Sequence, residues 1–140
     1  VEATAFGALR IIERLEEYGI KVEEIVNCGG IAEKSPFTMQ IYADVCNRPM
    51  KISRSAQTCA LGAAIFGAVA GGAFPDVPSA QNAMTGVKET VYRPIPEHRA
   101  AYAELYAIYR QLHDAFGLGS ASELGSVMKR LRALRSNATS

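Results

Sequence analysis

Hydrophobic and polar positions alternate with a helical period from the start of the chain. Ala5, Leu9, Ile12 and Leu15 recur at intervals of three and four, with Arg10, Glu13, Arg14 and Glu17 opposite, so this stretch predicts an amphipathic helix. Gly19 stands where a left-handed C-cap belongs, and Ile20 can close it with an apolar contact. The period then changes. Ile25, Val26 and Cys28 form a short apolar run with two β-branched residues, which predicts a buried strand. Gly29-Gly30 follows at once, then a loop, and Ser35-Pro36 opens a second helix as N-cap and first helical residue. Asn47 and Pro49 end that helix. Met50 to Ser53 predicts a second strand, and Ser55 predicts the cap of a third helix, from about Ala56 to Ala70. This order predicts an α/β fold in which the two strands are adjacent and parallel, with the helices packed on the sheet.

From Cys59 to Phe74 no residue is charged, and Gly67 and Gly71 are spaced as GxxxG. The run falls short of the ~20 apolar residues a bilayer needs and lacks basic or aromatic flanks, so no membrane partner is expected. A helix apolar all round predicts burial on every side. Ser79 predicts the cap of a short helix through Met84, and Val87 to Pro96 reads as an irregular crossing segment with two prolines. A long helix follows from about Glu97 to Phe116, where Tyr102, Leu105, Tyr109, Leu112 and Phe116 form a packing stripe that Tyr106 and Ile108 widen. Leu124, Val127, Met128, Leu131 and Leu134 predict a last amphipathic helix whose end frays.

Composition changes this picture in few places. With 140 residues, 49% hydrophobic and 21% charged, the chain is an ordinary globular protein of about one domain. Cys28, Cys46 and Cys59 form no CxxC pair and sit at apolar positions, which predicts reduced, buried thiols in a cytoplasmic protein. The net charge of +1 conceals a basic tail of Lys129, Arg130, Arg132 and Arg135. That run reads as a solvated helix face rather than a nucleic-acid site, although the nucleic-acid alternative stays open. A chain that begins inside a helix and without Met also suggests a piece of a longer protein.

The candidate chemistry lies at the glycine pair. Strand, double glycine and capped helix is the layout of a ligand site at the carboxyl edge of a parallel sheet. Two glycines let a ligand lie against the backbone, and a helix N-terminus suits an anion such as phosphate. The alternative is a plain tight turn. His98 and His113 have no Cys or carboxylate at ligand spacing, so no metal site is expected. No nucleophile elbow, Walker or Rossmann pattern occurs. Asp44 lies too far along its helix to reach a phosphate at the N-terminus, and reads as helix solvation or a salt bridge. His98 reads as a surface residue. No catalytic residue is visible.

Several motifs nevertheless occur together and in order. Gly29-Gly30-Ile31-Ala32, Ser35, Gln40 and Ala43-Asp44 resemble the GG-x-A…Q-x-x-A-D stretch of the FGGY carbohydrate kinases. Ala60-Leu61-Gly62-Ala63-Ala64 resembles their ALGAA helix, and Tyr92-Arg93-Pro94 with Tyr102, Leu105-Tyr106 and Tyr109 resembles their Y-x-P…Y…LY-x-x-Y ending. Within the family, the contexts Glu2–Gly7 and Gln57–Gly62 look closest to the L-ribulokinase branch. The resemblance implies the C-terminal part of an actin-like, ribonuclease H-like ATPase domain, with short parallel strands in an incomplete sheet. Residues 1–118 would be part of the second, nucleotide-binding kinase domain and 119–140 a separate basic helix and tail.

It also implies partners: ATP with Mg²⁺, a pentulose such as L-ribulose, and upstream kinase domains that carry the catalytic aspartate, the sugar contacts and the phosphate hairpins. Homo-oligomerisation stays open. Gly29 and Gly30 would be backbone contacts to the nucleotide, Ala32 a small wall residue, and Ser35 would stand where relatives often have a longer Asn. Gln40 and Asp44 would fix their helix on the sheet, and Mg²⁺ would be held by no residue of this chain. The chain alone would be inactive. An actin- or chaperone-type ATP-binding module is the alternative within the same superfold.

Overall fold

The computed structural model describes residues 1–117. Two compact units meet in sequence between Arg99 and Ala100. The first contains α1 (Glu2–Glu17), β1 (Ile25–Asn27), α2 (Gly30–Lys34), α3 (Pro36–Cys46), β2 (Met50–Ser53), α4 (Thr58–Ala70), α5 (Val77–Met84) and β3 (Val87–Tyr92). A 3-10 turn at Pro96–His98 leads to α6 (Arg99–Gly117), whose residues 100–117 are the described part of the second.

Local chemistry sets most of the boundaries. Gly19 takes φ +82°, and α1 ends in a Schellman motif in which Gly19 N–H donates to Glu16 C=O (2.9 Å) and Ile20 N–H to Leu15 C=O (3.1 Å). Ser35 Oγ accepts from Thr38 N–H at the start of α3, Pro36 is its first residue, and Asn47 closes it in the left-handed conformation. Both expected caps of this helix are present. α5 differs: Asp76 rather than Ser79 is its N-cap, with Oδ1 accepting from Ser79 N–H at 2.8 Å. Pro78 fits the first turn, where its missing N–H leaves nothing unsatisfied, so the helix starts earlier than Ser79 suggested.

The sheet has the order β1-β2-β3. β1 and β2 are parallel, Ile25 opposite Met50 and Asn27 opposite Ile52, as their flanking helices predict. β3 runs antiparallel to β2, where an irregular segment was expected. Its residues Lys88, Glu89 and Thr90 give no apolar alternation, so pairing with β2 defines the strand. Pro94 and Pro96 follow its last residue and interrupt nothing.

α1 and α3 pack together, and a core of Ile12, Ala43, Cys46 and Met50 joins them to β2. A second cluster of Ala32, Met39 and Ile52 joins α2 and α3 to the same strand. Arg48 ties three segments: Nε donates to Val22 C=O and Nη1 to Cys46 C=O, both at 2.7 Å, and Nη2 pairs with Glu16.

Burial of the apolar α4 does not follow its composition. Only Ile65 is buried, Phe66 is 64% exposed, and the main neighbour of the helix is α5 rather than the sheet. Uniform apolarity says that a helix requires cover, and the described residues bring only α5 to it. Its start also lies past Ser55, whose hydroxyl accepts from Gln57 N–H in a turn before the helix. Cys46 is buried, whereas Cys28 and Cys59 are exposed, contrary to expectation. Cys28 has left the strand, and Cys59 lies on α4, which has little cover. In α6 Tyr106 is buried and stacks on Tyr109 at 6.2 Å, while Leu105, Leu112 and Phe116 of the stripe are exposed. Among the described residues no helix is long and apolar enough to cross a membrane. The basic helix expected at 119–140 lies outside them.

Candidate functional site

The parallel strands β1 and β2 end at the same edge of the sheet, and the chain leaves β1 there through Cys28 and Gly29. Gly29 has φ +86° and ψ 175°, a combination that is essentially glycine's own. It caps α2, whose first bond runs from Glu33 N–H to Gly29 C=O at 3.2 Å. Gly30, the first residue of α2, is exposed. A Cβ added at either glycine would meet no atom within 4 Å, so the space over both backbones is open.

The other two candidate residues stand differently. Ala32 is 3% exposed and packs into the core beside Met39 and Ile52. Ser35 is half-buried, with its hydroxyl engaged in the first turn of α3: it accepts from Thr38 N–H at 3.3 Å and pairs with Thr38 Oγ1 at 2.8 Å. The glycine pair and Ser35 are also separated by a helical turn, α2, where a loop was expected. Ile31 to Lys34 contain no helix breaker, the left-handed Gly29 lets the chain turn into the helix, and burial of Ala32 holds it down. An ion pair of 2.7 Å joins Glu33 on α2 to Lys88 on β3. The hydrogen bond from Lys88 lowers the pKa of the Glu33 carboxyl, but at this exposure the pair contributes little stability. Beyond β2, the Arg54 guanidinium lies against Gly86 and donates to Thr85 C=O at 3.2 Å.

Asp44 and His98, 54 positions apart, form a pair that no local pattern announces. The Asp44 side chain is 2% exposed. Oδ1 accepts from Gln40 Nε2 and from Ile95 N–H, both at 2.8 Å, and Oδ2 lies 2.7 Å from His98 Nδ1. Gln40 Nε2 also donates to Arg93 C=O at 2.8 Å. These hydrogen bonds fix α3 to the segment after β3, so the Asp44 side chain is engaged inside the fold rather than solvating its helix. The sequence signals were an acid set between the apolar residues Ala43 and Val45 and its place with Gln40 in the Q-x-x-A-D stretch; neither pointed to His98. Among the described residues no three His, Cys, Asp or Glu side chains gather where they could hold a metal ion.

Residues 1–71 match the profile of the C-terminal domain of the FGGY family of carbohydrate kinases. The ribulokinase of Halalkalibacterium halodurans is 45% identical over 140 residues, an alignment covering 97% of this chain and 24% of that protein. The ribulokinase of Geobacillus thermodenitrificans is 49% identical over 137 residues, covering 94% and 23%. The chain thus spans about a quarter of the length of the curated relatives it matches. Among solved structures, a xylulose kinase from Rhodospirillum rubrum superimposes with a TM-score of 0.65 at 26% identity, covering 80% of this chain and 22% of that one. The small sheet and its helices are accordingly those of the C-terminal portion of an actin-like sugar kinase fold. Over half its length the sequence fits a single profile, and on that match the chain belongs to the FGGY family of carbohydrate kinases.

Proposed function

We propose that the chain supplies the nucleotide-facing, C-terminal portion of an ATP-dependent sugar kinase whose acceptor is L-ribulose, phosphorylated at its 5-hydroxyl. The observation that carries the reading is the open backbone at Gly29-Gly30, at the carboxyl end of β1. The identity to ribulokinases, at 45% and 49%, supports the choice of sugar.

In this reading Gly29 and Gly30 offer backbone groups to the adenosine and α-phosphate side of ATP. Ala32 acts from below by holding α2 to the core, and Ser35 borders the site through the first turn of α3. Phosphoryl transfer depends on positioning and on neutralising charge, and Mg²⁺ bound with the nucleotide would supply part of that neutralisation. No residue of this chain is assigned to that ion. The base that removes the proton from the sugar hydroxyl belongs to the upstream kinase domains, so the chain by itself transfers no phosphate. Those domains also cover the exposed apolar surfaces: α4 with Phe66, and a groove of about 380 Å³ between α1 and β1 lined by Ile11, Leu15, Val22, Val26 and Tyr42. Residues 1–118 form the nucleotide-domain portion in this scheme, and 119–140 the basic helix and tail.

The test joins the chain to its upstream part and measures ADP release with MgATP and L-ribulose. The joined protein turns over and the 140-residue chain does not. Gly30→Val in the joined protein weakens MgATP binding by calorimetry and leaves sugar affinity nearly unchanged. Unchanged nucleotide affinity in a folded variant reduces the glycine pair to a plain turn.

A further inference from the structure

Asp44 is the one charged residue buried among those described. Taking a carboxylate out of water costs several kcal/mol unless donors replace the solvent. Two of its three donors, Ile95 N–H and His98 Nδ1, come from the connector that follows β3. The third, the Gln40 amide, uses its other proton on Arg93 C=O in the same connector. Pro94 and Pro96 have no N–H, and His98 N–H closes the 3-10 turn on Ile95 C=O at 3.1 Å. Arg93 C=O, Ile95 N–H and His98 Nδ1 are therefore all engaged from one face of α3, where Gln40 and Asp44 lie one helical turn apart.

We propose that Asp44 is a lock that holds residues 93–98 on α3 as a strap, and that it does so by fixing His98 in the Nδ1–H tautomer. A carboxylate only accepts, so Nδ1 of a neutral His98 must carry the proton. The connector is then a fastened element just ahead of the Arg99–Ala100 boundary, and it opens as a unit when the lock is removed. The device depends on no bound ligand, and it stands whether or not the nucleotide reading holds.

Imidazole nitrogen NMR at about pH 8.5, where a free imidazole is neutral, reads the tautomer in the unaltered protein. Nδ1 protonation of His98 is expected, and the Nε2–H form would overturn the proposal. Amide exchange reads the strap. Asp44→Ala speeds exchange at Ile95 by roughly tenfold or more, while the β1–β2 amides stay protected. Ile95 exchange as slow as in the parent protein would overturn it. Asp44→Asn covers the case in which the alanine variant does not fold. The carboxamide oxygen it introduces still accepts from Ile95 N–H and the carboxamide nitrogen donates to His98 Nδ1, so the strap stays protected and His98 switches to the Nε2–H tautomer. A strap protected only by packing would show no such switch, and its absence would refute the lock.

Discussion

Replacing Gly29 and Gly30 singly by alanine separates two reasons for a glycine that are adjacent in this chain. At Gly29 the backbone lies at φ +86°, ψ 175°, and the new Cβ would touch nothing within 4 Å, so the cost is conformational alone. Holding an L-residue there costs on the order of 1–3 kcal/mol. Gly30 has no positive φ and begins a helix, and its Cβ also enters open space. Alanine there restricts the unfolded chain and is worth about 0.4–1 kcal/mol in favour of the fold. The two variants should therefore differ by roughly 1.5–4 kcal/mol, with opposite signs relative to the parent. Urea denaturation at matched slopes is the assay. With slopes of ~1–3 kcal/mol per molar, Gly29→Ala shifts the midpoint down by about 1 M and Gly30→Ala leaves it level or slightly higher. Gly29→Ala as stable as the parent would refute the conformational argument. Equal destabilisation by both would mean that the space over Gly30 is not open.

Met50 is fully buried between α1, α3 and the sheet, so Met50→Ala should cost about 2–5 kcal/mol in the same denaturation experiment. A loss below about 1 kcal/mol would mean that the core closes over the cavity. Burial pushes the Cys46 thiol up to about 11, leaving roughly one part in a thousand as thiolate at pH 8. A thiol reagent should label Cys28 and Cys59 quickly in the folded protein and Cys46 only after unfolding; three fast-reacting thiols would contradict this. The Asp76 carboxyl is held below its ordinary value of 3.8 by hydrogen bonds from Ser79. A lowered folded-state pKa gives stability that is complete above the ordinary value and lost as pH falls through the lower one. Protection of the amides at the start of α5, the exchange rate relative to the intrinsic rate at each pH, should fall over that acid range in the parent protein and be lower than in the parent above it in Asp76→Ala.

By itself the sequence determined the features that depend on a few consecutive residues. Gly19 after an amphipathic run, Ser35-Pro36 before one and Asn47 behind it satisfy helix ends locally, and all three occupy those places. The glycine turn was legible for the same reason, because a positive φ at Gly29 is met by glycine almost alone. β1 and β2 were legible as short β-branched or apolar runs separated by a helix, which leaves parallel pairing as the economical connection. Tertiary structure decided what depends on partners distant in sequence. β3 is a strand because β2 offers it a ladder, despite its polar run. Ala32 fits a ligand wall and a core equally well by size, and its place beside Met39 and Ile52 put it in the core. The apolar composition of α4 states that it requires cover, but only the fold reveals that α5 covers so little of it. Asp44 and His98 meet across 54 positions because α3 and the connector after β3 pass each other in space, a coincidence that no periodicity encodes.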